Sequence, residues 1–268
     1  KLLHERGHKI VVLDNLSRGN LSALRWGTYY IGDIGNPLLL KQVFRTHRID
    51  TVMHFAAFAY VGESNSHPSL YYKNNISESV TLLDAMVENG CSNLIFSSSC
   101  ATYGAIPSEL IPINENTPQN PVNPYGNSKL FLEKIIKDYE RAYNLRSVIF
   151  RYFNAAGCDP DGVIGEDHDP ETHLIPLAIR AALYPESSIS IFGDDYPTHD
   201  GTAIRDYVHV GDIVRAHCLG MDYLLNGHPS NIFNIGLGKG YSVREVIDTV
   251  SRVAGTVVKA RIEKRRLG

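Results

Sequence analysis

Residues 123–152 read NPYGNSKLFLEKIIKDYERAYNLRSVIFRY. The Asn123-Pro124 step presets a helix start, because proline's fixed φ suits the first helical position. From Tyr125 to Tyr143 apolar residues recur three and four apart, the period of an amphipathic helix. Ser147 to Tyr152 follows as a short apolar run, and Asn93 to Phe96, ended by Ser97-Ser98-Ser99, precedes the helix; both runs read as buried strands. Strand, helix and strand in that order predict a parallel pair with a right-handed crossover.

The alternation extends outward. Lys9 to Leu13, Tyr29 to Ile31 and Thr51 to Phe55 read as strands, and Pro37 to His47 and Leu70 to Asn89 as helices. Arg205 to Val210, Gly211 to Leu225, Asn231 to Ile235 and Ser242 to Val253 return to the same spacing. The predicted fold class is α/β, a doubly wound parallel sheet. After Asn154 the pattern weakens, and Gly, Pro and Asp are frequent through Asp169 and Pro170 to Gly201. Residues 1–154 are therefore expected to form one domain, and 155–268 mainly a smaller C-terminal lobe with segments returning to the first. Both ends are expected to be cut. Lys1-Leu2-Leu3-His4-Glu5-Arg6-Gly7 reads as the last turns of a helix, and no GxGxxG is present, so a first strand and its glycine-rich turn are expected to lie outside the sequence.

Composition narrows the function. The 268 residues are 43% hydrophobic and 21% charged, with 22 Gly and 13 Pro scattered through the chain, as a soluble globular protein requires. Net charge is −3, and basic residues are dispersed except at Lys264, Arg265 and Arg266, so no nucleic-acid partner is expected. Apolar runs fall short of the roughly 18 residues of a membrane span, so no membrane partner is expected and the cytoplasm is the expected location. Cys91, Cys100, Cys158 and Cys218 lack CxxC spacing and read as reduced thiols.

Tyr125 and Lys129 share one helix face at YxxxK spacing. With 15 Tyr and 10 Lys in the chain, about 0.6 such pairs arise by chance. Context adds weight, since the pair follows a proline-started helix and a serine cluster ends the preceding strand. Ser, Tyr and Lys together suit removal of a proton from an alcohol while a hydride leaves its carbon. A phenol working at pH 7 must bring its pKa down from about 10, at a cost of roughly 4 kcal/mol. A neighbouring cation lowers it by about 1 to 3, so Lys129 alone is marginal, and a second positive group is needed. Ser97 to Ser99 also read as a strand end with satisfied hydroxyls. Asp14, after a strand, and Asp33, after the next, are open to two readings: an acid on ribose hydroxyls or a turn residue. His54, within an apolar strand, reads as a hydrogen-bonded core residue. Glu166, Asp167, His168, Asp169, Glu171 and His173 read as a solvated turn, and no metal site is expected. A nucleophile at Cys100 finds no histidine adjacent in sequence.

Several stretches together resemble the extended short-chain dehydrogenase/reductase family, and within it the nucleotide-sugar 4-epimerases. They are Val12 to Ser17, Gly32-Asp33-Ile34, His54-Phe55-Ala56-Ala57 with Val61-Gly62-Glu63-Ser64, Tyr71 to Asn75, Phe96 to Ser99, Pro124 to Lys129 and Arg151-Tyr152-Phe153-Asn154. Ile191 to Thr198, Asp200-Gly201-Thr202, Ile204 to Val210 and Phe233 to Gly236 complete the set in the family's order. The resemblance implies an NAD-binding Rossmann fold with a substrate-binding lobe. It assigns Asp14, Asn15, Asp33 and Ile34 to the adenosine half of NAD. Phe55, Ala56, Ala57 and Asn74 would line the diphosphate and nicotinamide side, together with Ser97 and Phe153, and Lys129 would hold the nicotinamide ribose. Tyr125 would be the base and Ser99 its partner on the sugar hydroxyl. Asn154, His173, Leu174, Ser190, Phe192, Arg205 and Arg266 would bind the UDP-sugar.

The implied activity is interconversion of UDP-glucose and UDP-galactose through a transient 4-keto sugar, with UDP-xylose and UDP-arabinose as the alternative pair. Homodimers are common in the family, so a homodimer is expected. Ala59 stands where some relatives carry a lysine, and His173 where some carry an asparagine. Nucleotide-sugar dehydratases and decarboxylases place acids after the active-site serine or threonine; here Cys100 and Ala101 follow Ser99. A non-catalytic nucleotide-binding relative is disfavoured by the presence of Ser99, Tyr125 and Lys129 together.

Overall fold

A computed structural model describes residues 1–184 and 186–265. In chain order the elements are α1 (Leu2–Glu5), β1 (Val11–Asp14), β2 (Thr28–Ile31), α2 (Pro37–Thr46), β3 (Val52–His54), α3 (Val61–Ser66), α4 (Pro68–Tyr72) and α5 (Glu78–Glu88). They continue with β4 (Asn93–Ser99), α6 (Pro124–Tyr143), β5 (Arg146–Tyr152), β6 (Asn154–Ala156), α7 (Leu174–Leu183), β7 (Ile189–Phe192) and β8 (Ile204–His209). The series closes with α8 (Val210–Leu225), β9 (Asn231–Ile235), β10 (Gly240–Ser242), α9 (Val243–Ala254) and β11 (Ala260–Glu263).

Contacts divide the chain into two compact units, one of residues 1–152 with 212–235 and the other of 153–211 with the segment from 236. In the first, β3, β4, β5 and β9 form a four-stranded sheet that is parallel throughout. All seven residues of β4 are buried, as a strand covered on both faces requires. Its side chains alternate: Leu94 and Phe96 join Leu83, Met86, Leu132 and Ile136 of α5 and α6. Ile95 packs with Val148, Phe150, Met221 and Leu224, the last two from α8. Helices thus cover both faces, the doubly wound arrangement the alternation predicts. β1 and β2 form a separate parallel pair, and α2 packs on α5 through Leu40, Leu82 and Ala85.

The expected helix Leu70 to Asn89 is interrupted by a π turn at Lys73–Ser77, between α4 and α5. The buried Asn75 sits in that turn and clamps the strand-end loop, accepting from Phe58 N at 2.8 Å and donating to Phe58 O at 3.0 Å and Ser128 Oγ at 3.0 Å. A π turn inserts a residue into the helical repeat, often at functional sites.

The second unit holds β6 parallel to β8, β8 antiparallel to β10, and β7 parallel to β11. α7 and α9 pack over Ile189 and Ile191 of β7 through Ala178, Ala181 and Ile247. Among the described residues no helix is long and apolar enough to cross a membrane, and no disulfide forms.

Candidate active site

The C-terminal ends of the parallel strands gather the candidate groups of the first unit. α6 starts where the sequence predicts: Asn123 caps it by accepting from Gly126 N at 2.9 Å, with Pro124 in the first turn. Gly126 is required there by a close approach, since a Cβ would lie 2.6 Å from the Ala101 carbonyl. That approach seats Tyr125 beside the end of β4. Ser99 Oγ accepts from Ala101 N at 3.1 Å and lies close enough to the Tyr125 phenol to lower its pKa.

One turn further on, Lys129 is 4% exposed and donates to the Ser97 carbonyl at 2.7 Å. Its ammonium lies 5.0 Å from the Phe96 ring centroid and 6.0 Å from that of Tyr125. The structure therefore brings Ser99, Tyr125 and Lys129 together, with Ser97 as the lysine's acceptor; the Ser97 hydroxyl pairs with the Tyr152 phenol.

The electrostatics depart from the simplest expectation. Lys129 does not draw the Tyr125 phenol down: burial holds it above its ordinary value, opposed by the Ser99 hydroxyl. The lysine itself is pushed down to about 7 by burial, with Glu133 opposing. A base whose folded pKa is depressed costs stability fully below that pKa, and the cost is relieved as pH rises toward the unfolded value near 10.5. Wild-type unfolding free energy relative to Lys129→Met is thus expected to rise by about 1.4 kcal/mol per pH unit across the middle of the window from 7 to 10.5. Urea titrations of both proteins at pH 7 and 9.5 measure this; a flat difference would refute it.

Behind the lysine lies a pair that the sequence reading did not single out. Arg151 in β5 and Glu133 in α6, each 3% exposed, meet at 2.6 Å. Glu133 also accepts from Ser98 Oγ at 2.5 Å and Gln119 Nε2 at 3.2 Å, while Arg151 donates to Tyr103 Oη at 2.9 Å. Two signals were readable: an arginine inside an otherwise apolar strand needs a buried partner, and Tyr125, Lys129 and Glu133 recur four apart on one helix face.

At the C-terminal end of β1, Asp14 accepts from Leu16 N at 2.7 Å. Asp33 accepts from Gly35 N at 2.6 Å and Asn15 Nδ2 at 3.2 Å. Both acids thus make turns, and Asn15 and Asp33 join the loops after β1 and β2. Ile34 packs against the Leu40 cluster. Phe55 is 48% exposed and stacks on His217 at 4.7 Å, with Ala56 exposed and Ala57 partly buried beside it. Asn74 donates to Asn75 Oδ1 at 2.9 Å. His54 is a core residue, bonded to Ser79 at 2.8 Å and held neutral by burial and then by Lys129.

In the second unit Ser190 and Phe192 share the partly exposed face of β7, opposite the buried Ile189 and Ile191. Arg205 is exposed on β8 and bonds its neighbour's carbonyl at 2.8 Å. Asn154 donates to the Asp206 carbonyl at 2.9 Å, pinning β6 to β8. Phe153 packs on Gly236. Leu174 opens α7 and packs on that unit's core. His173 pairs with Glu166, which raises its pKa. The segment expected to be a plain solvated turn gathers Glu166, His168, Glu171 and His173 into one cluster. Arg266 lies outside the described residues.

Acids at the C-terminal ends of β1 and β2, and Ser99 at the end of β4 beside Tyr125 and Lys129 of α6, are the groups expected of a nucleotide-binding α/β protein that moves a proton at a hydroxyl. The family described as NAD dependent epimerase/dehydratase matches residues 1–236. A UDP-glucose 4-epimerase of Halalkalibacterium halodurans is 49% identical over 266 residues, covering 99% of this chain and 79% of that protein. The crystal structure of UDP-glucose 4-epimerase from Brucella ovis in complex with NAD superposes with a TM-score of 0.95 at 48% identity, over 100% of this chain and 82% of that one. The enzyme from Bifidobacterium longum, in complex with NAD+ and UDP, does so at 0.92 and 36%, over 100% of this chain and 82% of its own. The chain belongs to the NAD dependent epimerase/dehydratase family.

Proposed function

We propose that this chain is a UDP-sugar 4-epimerase that interconverts UDP-glucose and UDP-galactose with NAD as cofactor. The observation that carries the reading is the Ser99, Tyr125 and Lys129 constellation at the end of β4, in a chain 49% identical to a UDP-glucose 4-epimerase. The donor set fits NAD: carboxylates and an amide at the ends of β1 and β2 suit ribose hydroxyls, and the exposed face of Phe55 with Ala56 and Ala57 leaves small side chains for close backbone approach. Bound NAD supplies a hydride acceptor and donor for transient oxidation at the sugar's C4. Tyr125 takes the 4-hydroxyl proton and later returns it, Ser99 orients that hydroxyl, and Lys129 holds the nicotinamide ribose.

We assign residues 1–154 mainly to NAD and 155–268 mainly to the UDP-sugar, with segments of the latter returning to the first domain. Concentrating binding energy on the UDP half leaves the 4-keto sugar free to turn over. Phe192 suits packing on a flat base, and Arg205 suits a phosphate through its planar fork, with Asn154, Leu174, Ser190, His173 and Arg266 completing the assignment. Arg205→Ala is expected to raise the KM for UDP-galactose at least about 10-fold with little change in kcat, the loss of one charge-assisted contact; an unchanged KM removes Arg205 from the site.

The deciding test is proton NMR of the anomeric region after incubation with UDP-galactose and separately with UDP-xylose. Growth of UDP-glucose signals in the first tube supports the reading, growth of UDP-arabinose alone in the second transfers it to the pentose pair, and no conversion with NAD supplied refutes it. Cysteines outside any disulfide support a cytoplasmic location, and a homodimer is the expected assembly, read by light scattering.

A further inference from the structure

Between β6 and α7 four side chains from eight consecutive residues turn toward one point. Glu166, His168, Glu171 and His173 each present one ligand atom, and all four atoms lie within 4.8 Å of one another. His168 Nδ1 stands 3.2 Å from a Glu166 oxygen and 3.6 Å from a Glu171 oxygen. His173 Nδ1 touches the same Glu166 oxygen and lies 3.6 Å from the other Glu171 oxygen. The two rings meet edge to face at 5.1 Å.

Two separate ion pairs would give each imidazole its own carboxylate. Here both imidazoles aim the same ring nitrogen at the same two carboxylates, which is the convergence of a ligand set. A tetrahedral ion with bonds of about 2.0–2.1 Å separates its ligand atoms by roughly 3.3 Å; three of the four nitrogen–carboxylate separations, 3.2, 3.6 and 3.6 Å, bracket that spacing, while His173 and Glu166 stand in direct hydrogen-bond contact and part to admit an ion. Two carboxylates and two neutral imidazoles carry a charge that a divalent cation neutralises. Nitrogen donors in half of the set select a first-row transition ion over Mg2+ or Ca2+, which favour oxygen. Backbone groups fix one ligand in place: Glu171 Oε1 accepts from Thr172 N at 2.7 Å and His173 N at 2.8 Å, the kind of outer contact that orients metal ligands. His173 is also the N-cap position of α7, so an ion here would tie the preceding loop to the start of that helix.

We propose that Glu166, His168, Glu171 and His173 form a Zn2+ site that staples the β6–α7 segment. Its role is to fix the segment that carries His173 and Leu174, both assigned above to the UDP-sugar, and binding of the ion itself stands whether or not the chain is an epimerase. The test uses the whole chain, stripped with EDTA and desalted, titrated with ZnCl2 by calorimetry while thermal melting is followed in parallel. One equivalent is expected to bind with a micromolar or tighter dissociation constant and to raise the melting temperature. His168→Ala and Glu171→Gln are each expected to weaken binding at least about 10-fold while leaving the melting temperature in EDTA near that of wild type. Co2+ added to the unmutated chain is expected to give visible absorption of tetrahedral intensity, a readout that survives if a variant fails to fold. The proposal falls if wild type takes up no Zn2+ in the micromolar range, if both variants bind as wild type does, if Mg2+ binds as tightly, or if Co2+ shows only octahedral absorption.

Discussion

Tyr125→Phe is expected to lower kcat for conversion of UDP-galactose by about 10³-fold or more, with KM within a few-fold of wild type. The substitution keeps the ring that packs beside the end of β4 and deletes only the hydroxyl beside Ser99. General acid–base catalysis contributes about 10²–10⁴ in typical enzymes, and here one phenol is assigned both the removal and the return of the proton. The structure sharpens what that phenol needs. Burial raises its pKa, and Lys129 spends its hydrogen bond on the Ser97 carbonyl rather than on the phenol. A chain without cofactor is therefore expected to hold Tyr125 protonated at pH 7. Ultraviolet difference titration of wild type against Tyr125→Phe isolates this group among the 15 tyrosines. Its midpoint should lie above 10 in the bare chain and fall when NAD is added. Retention of a near wild-type rate by the Phe variant would take the base role from Tyr125, and a midpoint indifferent to NAD would remove the nicotinamide as the source of its acidity.

How far the sequence foretold this depends on which physical signal each part carried. The four-stranded sheet and the start of α6 were legible because local terms agree there: β-branched strands, Asn123 and Pro124 at a helix start, and an apolar period of three to four. β4 runs three residues past the predicted Phe96 because Ser97, Ser98 and Ser99, polar by composition, are buried with partners from α6, β5 and their own loop. The break in the helix after Tyr72 escaped periodicity, since Asn75 earns its place through contacts with Phe58 and Ser128, far away in sequence. α7 lies inside the stretch from Asn154 to Gly201 where frequent Gly, Pro and Asp weaken the pattern; its own Pro176 falls in the first turn, where proline is tolerated because no backbone donor is lost. The Glu166 to His173 cluster shows the limit of composition, because convergence of four side chains depends on a loop path that spacing alone does not encode.

The Glu133–Arg151 pair is where a single substitution should do the most structural damage. Both groups are 3% exposed, and between them they hold Ser98, Gln119 and Tyr103. Removing one partner strands the other charge in a low-dielectric core, a cost of about 3–5 kcal/mol in comparable pairs. Arg151→Ala and Glu133→Ala are each expected to lose that much in urea unfolding, several tenths of a typical domain's stability of about 5–15 kcal/mol. Replacing both by apolar residues, Glu133→Leu with Arg151→Met, should recover much of the loss, since no unpaired charge remains. That asymmetry separates a charge-pairing role from mere packing: equal destabilisation by the double and the single variants would mean that the shape of the two side chains, not their charge, supports the sheet. Activity should nonetheless stay depressed in the refolded double variant. Glu133 favours the charged form of Lys129 and anchors Ser98 between Ser97, the acceptor of Lys129, and Ser99, so the pair holds the positions on which the proposed proton transfer depends even where its net contribution to folding is small.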